Sequence, residues 1–169
     1  MTTLSMYSAS VPVMSRMLEN LLVWLDKAHV HAQARGFEPD AWLQQQLAPD
    51  MLNFARQVQV ACDTAKGCAT RLAGEPVPSW EDTETTLEQL RARVRRTLDL
   101  LQSLAAERFE GAETREVVLS QRGGGQVRQD GLSYLQQRAL PNFFFHITTA
   151  YALLRQGGVD IGKADYLGR

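Results

Sequence analysis

The segment that most constrains the fold of this chain runs from Ala139 to Gly158 and reads ALPNFFFHITTAYALLRQGG. Its large apolar residues are distributed around nearly the whole circumference of a helix: Phe143, Phe144, Phe145, Ile147, Ala150, Tyr151, Leu153 and Leu154. A surface helix carries such residues on one stripe only, so this pattern predicts a helix enclosed by its neighbours. Pro141 predicts a break or kink near the start of this helix, and Gly157 and Gly158 predict its end.

Three more long helices are predicted upstream by apolar residues at helical spacing. The first spans Pro12 to Arg35. The second begins with Asp50 as its N-cap and ends before Gly74. The third begins at TTLE, where Thr85 is the expected N-cap and Glu88 closes a capping box. The chain therefore contains enough amphipathic helix to form a helical bundle.

A short β-hairpin is predicted between the third and fourth helices. The segments REVVLS and QVRQD flank the glycine-rich stretch QRGGG, a pattern typical of two strands joined by a tight turn. Two such strands are not stable alone and need the helices for support. We therefore predict an all-α fold, a four-helix bundle with this hairpin inserted. The 169 residues form one domain, 1–169.

The charge balance argues against two classes of partner. The chain has 18 Lys and Arg against 19 Asp and Glu, so no net field attracts nucleic acid or an anionic membrane. The N-terminal residues MTTLSMYSASVPVM do not resemble a secretion signal, and no segment is apolar for long enough to span a bilayer. We expect a soluble cytoplasmic protein.

Polar residues on the fourth and second helices are the candidates for a site. Asn142 and His146 are four residues apart, so they share one face of the fourth helix. Gln59, Asp63 and Lys66 form a polar stripe on the second helix, which is either a solvated flank or turned toward His146. In the second case all five residues line an interior pocket. The competing interpretation is that His146 bonds a backbone carbonyl inside a closed core.

Several motifs resemble an uncharacterised bacterial family of the DinB/YfiT-like superfamily. They are PNFFFHITTAYALLR, the C-terminal GVDIGKADYLG, RQVQVACDTAKG and HAQARGFEPD. The resemblance implies a homodimeric four-helix bundle with a divalent metal held by three histidines, one from helix two and two from an H-x-x-x-H pair on the last helix. His146 matches the second member of that pair and Asn142 stands at the first. Gln57 or Gln59 occupies the region of the helix-two ligand.

This departure changes the expected chemistry. Zinc and nickel prefer imidazole or thiolate donors, and an amide oxygen is a much weaker ligand. The three-histidine site is therefore not retained, and His146 is its one remaining ligand. We expect a protein that binds a small molecule or a thiol cofactor around His146. The resemblance implies the alternative, a metal-dependent hydrolase or thiol-dependent transferase. In that case His146 would serve as general base, with Asn142 as its orienter and Asp63 or Lys66 as charge partner.

The C-terminal segment IGKADYLGR follows the last long helix. Because it is part of the motifs that carry the resemblance, we predict that it folds back across the bundle or across a partner subunit.

Overall fold

The computed structural model describes residues 4–121 and 123–169, so Arg122 of the predicted hairpin turn lies outside the described residues. Its helices and strands follow in chain order: α1 (Val11–Arg35), α2 (Phe54–Ala73), α3 (Leu87–Ser103), β1 (Glu116–Ser120), β2 (Gln126–Asp130), α4 (Gly131–Tyr134), α5 (Leu140–Gln156) and α6 (Lys163–Leu167). Short 3-10 turns lie at Pro39–Gln44 and Ala106–Phe109. The predicted mostly helical fold with one small hairpin is confirmed.

The four long helices share one apolar core. Helix α2 packs against α3 and α5, and α1 packs against the same two helices. The largest fully buried side chains include Trp24, Phe54 and Phe143, which come from three different helices. A single cluster of buried residues runs through all of these elements. Among the described residues no helix is both long and apolar enough to cross a membrane.

Two of the predicted helix caps are displaced along the chain. Asn53, not Asp50, caps α2, because its side chain accepts a hydrogen bond from the backbone of Arg56 at 3.0 Å. Thr86, not Thr85, caps α3 and forms the capping box with Gln89 rather than Glu88. Asn53 and Thr86 each directly precede the first turn of their helix, where a side-chain oxygen reaches the exposed N–H groups.

The hairpin forms as the alternating pattern predicted. Strands β1 and β2 are antiparallel, with Val118 opposite Arg128. Val117 and Leu119 point inward and are buried, whereas the residues between and beside them are exposed. Asp130 then caps α4 by accepting a hydrogen bond from the backbone of Ser133 at 2.9 Å.

A π-helical segment, Leu135–Ala139, joins α4 to α5 where the sequence predicted a break. Pro141 follows in the first turn of α5. Proline has no N–H to donate to the preceding turn, and a widened turn accommodates this loss without ending the helical path. The backbone stays in the right-handed helical region at Tyr134 and Leu140, on either side of the segment. At the predicted break the helix is therefore locally widened, and its path is not interrupted.

The predicted enclosure of α5 is wrong on one side. Phe143 and Ile147 are fully buried, but Phe145 is 55% exposed and Phe144 is only half-buried. Three neighbouring helices do not surround α5, so the face that carries Phe145 meets solvent in the single chain.

The C-terminal segment lies across α1 of the same chain. The Tyr166 ring stacks on Trp24 with their centroids 5.6 Å apart, and the indole N–H of Trp24 donates to the carbonyl of Asp165 at 3.2 Å. The Lys27 ammonium contacts the Asp165 carboxylate at 2.6 Å. These contacts fix the short helix α6 against the bundle.

Candidate functional site

His146 on α5 is paired with a glutamine on α2. The Gln57 side-chain amide donates through Nε2 to the carbonyl of Leu52 at 2.9 Å. Its carbonyl oxygen Oε1 must then face the other way, where it lies 2.7 Å from His146 Nδ1. Because a carbonyl oxygen only accepts, Nδ1 carries the hydrogen and donates it. The Leu52 carbonyl thus orients the Gln57 amide, and Gln57 in turn fixes the tautomer of His146.

The other ring nitrogen of His146 is left as an acceptor. Within residues 4–121 and 123–169, Nε2 has no hydrogen-bond partner. It is also not among the polar side-chain atoms of these residues that are both unpaired and buried from solvent. The side chain is only 8% exposed, and this burial lowers the pKa of His146 below its usual range. At neutral pH the imidazole is therefore uncharged and presents a lone pair at Nε2.

Other polar and aromatic side chains lie beside this imidazole along the seam where α5 packs against α2. Asn142, one turn before His146, donates from Nδ2 to Thr64 Oγ1 at 2.7 Å. The Phe145 ring meets the imidazole edge to face, with centroids 5.1 Å apart. We call the surface formed by Gln57, Thr64, Asn142, Phe145 and His146 the α2–α5 groove. It combines an acceptor nitrogen, an exposed carboxamide and an exposed aromatic ring.

The other three predicted site residues lie in a separate charged cluster. The Lys66 ammonium contacts Asp63 at 2.7 Å, and the Arg93 guanidinium contacts the same carboxylate at 3.0 Å. Gln59 donates from Nε2 to Glu84 at 2.7 Å. Lys66 and Asp63 are both on α2, whereas Arg93 belongs to α3 and Glu84 to the 75–86 linker that precedes it. These side chains face α3, away from α5.

The predicted pocket is therefore corrected, because Gln59, Asp63 and Lys66 do not lie with Asn142 and His146. Gln57 and Gln59 are two positions apart on α2, so their side chains point about 200° from one another around the helix. Gln57 faces α5 and meets His146, whereas Gln59 and Asp63 face α3. Asn142 and His146 do meet polar side chains of α2, but not the ones that the sequence analysis favoured.

Arg93 organises the charged cluster and was missed from sequence. Its guanidinium donates to Glu84 at 2.9 Å and to the carbonyl of Glu81 at 2.9 Å, and it contacts Asp82 at 2.8 Å. Burial opposes its charge, but the hydrogen bond to Glu84 and the nearby carboxylates raise the pKa of Arg93. Arg93 lies within the apolar seam of α3, between Leu90 and Val94, and this position could have identified it as a buried charge from the sequence. An arginine there needs buried acidic partners.

The residues of the groove do not fit the metal that the resemblance implies. Only one of the three positions carries an imidazole, and the Gln57 oxygen is turned to His146 Nδ1–H and not to a shared point. Asn142 uses its amide nitrogen as a donor to Thr64. In the described part of the chain no group of three or more His, Cys, Asp or Glu residues is placed to hold an ion.

The two cysteines supply no reactive thiolate. Both are buried, and burial raises the pKa of Cys62 and of Cys68 to about 12. Each thiol is therefore un-ionised at neutral pH. A thiolate nucleophile at the groove would therefore have to come from the bound molecule.

Comparison with known proteins supports the resemblance. The profile of a domain of unknown function, DUF1993, matches residues 6–167. The chain belongs to the DUF1993 family. A crystal structure of a DinB family member protein from Shewanella denitrificans is 41% identical, with a TM-score of 0.89, and the match covers 96% of this chain and 92% of that chain. No curated protein matches the chain. This DUF1993 protein is thus DinB-like, as its motifs predicted.

The DUF1993 fold also decides between two glutamines. The sequence left Gln57 and Gln59 as equal candidates for the position of the helix-two ligand. The structure places Gln57 opposite His146 and turns Gln59 to Glu84. In this DUF1993 chain Gln57, and not Gln59, is therefore the glutamine of α2 that meets His146.

Proposed function

We propose that this protein binds a small molecule in the α2–α5 groove through His146, without a metal. The observation that carries the proposal is the orientation of the imidazole. Since Nδ1–H donates to Gln57, Nε2 offers a lone pair toward solvent beside Phe145. This nitrogen accepts a hydrogen bond from a hydroxyl, amide or thiol group of the ligand.

A thiol is the ligand class that suits this groove best. Its S–H donates to a neutral imidazole, and its sulfur packs favourably against the edge of an aromatic ring such as Phe145. The carbonyl oxygen of Asn142 is available for an amide N–H of the same molecule, because the Asn142 amide nitrogen is already used by Thr64. The groove therefore matches a thiol compound that also carries amide groups.

Two probes that differ at one hydrogen-bond donor test this proposal. Glutathione has a free thiol and amides, and its S-methyl derivative lacks the thiol hydrogen. In calorimetric titrations we expect saturable binding of glutathione and at least about fivefold weaker binding of the derivative, since a buried acceptor left unpaired costs about 1–3 kcal/mol. His146→Gln should remove the difference, whereas His29→Gln, a half-buried histidine of α1, should leave it unchanged.

Equal binding of the two probes, or glutathione binding that survives His146→Gln, would contradict the proposal. Stoichiometric zinc or nickel in the purified protein would contradict its metal-free part and would support the hydrolase alternative instead.

A thiol-dependent transferase is the second candidate, and the same lone pair favours it. A neutral imidazole beside a bound thiol takes its proton and generates the thiolate nucleophile. This role uses only His146 Nε2 and the ligand. Turnover of an electrophilic probe such as chlorodinitrobenzene with glutathione, lost in His146→Gln, would identify the transferase. Binding without turnover would identify the binding protein.

We also propose that residues 1–169 form one four-helix-bundle domain that assembles as a homodimer. The continuous core supports the single domain, and the resemblance to a homodimeric family supports the dimer. Light scattering should give about twice the 18.9 kDa chain mass. A mass of one chain for the unaltered protein would contradict the dimer.

A further inference from the structure

A cavity lies beside the π-helical segment, and Leu135 at the start of this segment and Leu140 at the start of α5 both line it. Its volume is about 490 Å³, and it is half-open to solvent, bordered by residues 4–9, by the turn after α3 and by the chain around the π-helical segment. Its apolar lining includes Met6, Ala9, Phe109, Leu132, Leu135 and Leu140. None of the five residues that define the α2–α5 groove lines it. This size and apolar character are typical of small-molecule sites.

The π-helical turn builds one wall of this cavity. Leu135 and Leu140 both line it, and they are five residues apart. In a regular α-helix that spacing would point them about 140° from one another. A π-helical turn contains more residues, so positions i and i+5 lie close to the same side. The widened turn therefore gives the cavity two adjacent leucines, and π-helical turns of this kind are frequent at functional sites.

The polar rim of the cavity has one sign of charge. Within residues 4–121 and 123–169, Glu110 and Glu113 are the charged residues that line it, and no lysine, arginine or histidine joins them. Both glutamates are exposed. Leu4 and Leu132 also lie at the rim and are exposed to solvent. An apolar chamber with a carboxylate rim is complementary to a molecule that has an apolar body and a cationic head.

We infer that this cavity binds a small amphiphilic amine, with its apolar body against Phe109, Leu135 and Leu140 and its ammonium group at Glu110 and Glu113. The cavity is a separate site, and it does not depend on the function proposed for the α2–α5 groove.

Three probes with the same apolar body and different heads test this assignment: octylamine, octanol and octanoate. In calorimetric titrations below their aggregation concentrations, we expect octylamine to bind saturably with one molecule per chain. Octanol should bind about fivefold more weakly, because exposed charge pairs contribute up to about 1 kcal/mol. Octanoate should bind more weakly still. Added salt should weaken octylamine binding and leave octanol binding unchanged.

Two variants locate the probe. Ala106 is an exposed residue at the rim, so Ala106→Trp fills the cavity without removing core atoms, and octylamine binding should be lost while the unfolding temperature is kept. The double variant Glu110→Gln and Glu113→Gln should lower octylamine affinity to that of octanol. Glu107→Gln is the matched control, because this exposed glutamate of the same turn does not line the cavity.

Equal binding of octylamine and octanoate would overturn the inference, as would octylamine binding that persists in Ala106→Trp. If light scattering shows that Ala106→Trp converts a dimer to a single chain, the cavity is an interface between two copies and the amine site is likewise overturned. His146→Gln should not change octylamine binding, so failure here is distinguishable from failure at the groove.

Discussion

At the residue scale, one hydrogen bond and partial burial determine the chemical state of His146. Gln57 fixes its tautomer, and burial lowers its pKa, so the neutral form with a free Nε2 is favoured. The sequence predicted that Asn142 and His146 share a face, because their spacing requires it. It did not identify Gln57 as the partner, since each position on α2 turns the side chain by about 100° and the face that meets α5 is set by packing.

The stability of the protein should depend on pH through His146. The folded state disfavours protonation of this imidazole, whereas the unfolded chain protonates it below about pH 6.5. The stabilising contribution is therefore complete above about pH 6.5 and is lost as the pH falls through the lowered folded-state pKa. We expect the free energy of unfolding, measured in urea, to fall more steeply with acid than in His146→Gln. A parallel pH dependence in the two proteins would show that His146 is not the titrating group.

Gly131, at the start of α4, is a residue that only packing explains. A Cβ built there would lie 1.9 Å from the carbonyl oxygen of Ala112, so the backbone of the two segments would have to separate. We expect Gly131→Ala to lower the free energy of unfolding by at least about 2 kcal/mol. Gly162→Ala is the control, since no heavy atom lies within 4 Å of that Cβ, and it should cost less than about 1 kcal/mol. Equal costs would mean that the close approach is not what requires glycine.

At the scale of elements, Arg93 attaches the 75–86 linker to the bundle. Its guanidinium connects Asp63 on α2 with Asp82 and Glu84 on the linker. The prolines of the linker predicted an irregular segment, and that description holds. Its attachment was not predictable, because pairing charges across the chain requires knowing which faces of α2 and α3 meet. The same uncertainty placed Gln59 and Asp63 beside His146 in the sequence analysis.

Removing Arg93 should release the linker. In Arg93→Ala three carboxylates lose a shared partner, although Lys66, Arg56 and Gln59 still contact Asp63, Asp82 and Glu84 respectively. We therefore expect a loss of about 1–3 kcal/mol in the free energy of unfolding. Limited proteolysis should then cut within residues 75–86 at a protease concentration that leaves the unaltered protein intact. Arg95→Ala, an exposed arginine of the same helix, should leave both stability and cleavage unchanged. An uncut linker in Arg93→Ala would show that other contacts hold it.

At the scale of the whole molecule, apolar periodicity was enough to predict the long helices and the hairpin. A segment with an apolar stripe can bury that stripe in only a few conformations. The spacing of its apolar residues is therefore enough to predict the helix or strand. The π-helical segment and the exposure of Phe145 did not follow, because both depend on how α5 meets its neighbours. The docking of α6 on Trp24 was expected as a fold-back, but its target on α1 required the complete fold.

The proposed binding requires His146 to be a neutral, metal-free acceptor whose tautomer is set by Gln57. A long-range proton–nitrogen correlation spectrum of the histidine side chains tests it most directly. Near neutral pH the account predicts a protonated Nδ1 and an unprotonated Nε2 for His146, with neither signal shifted by equimolar zinc. In Gln57→Ala, which removes the acceptor, the two tautomers should mix. Protonation at Nε2 in the unaltered protein, or a zinc-induced shift of the His146 nitrogens, would contradict the account.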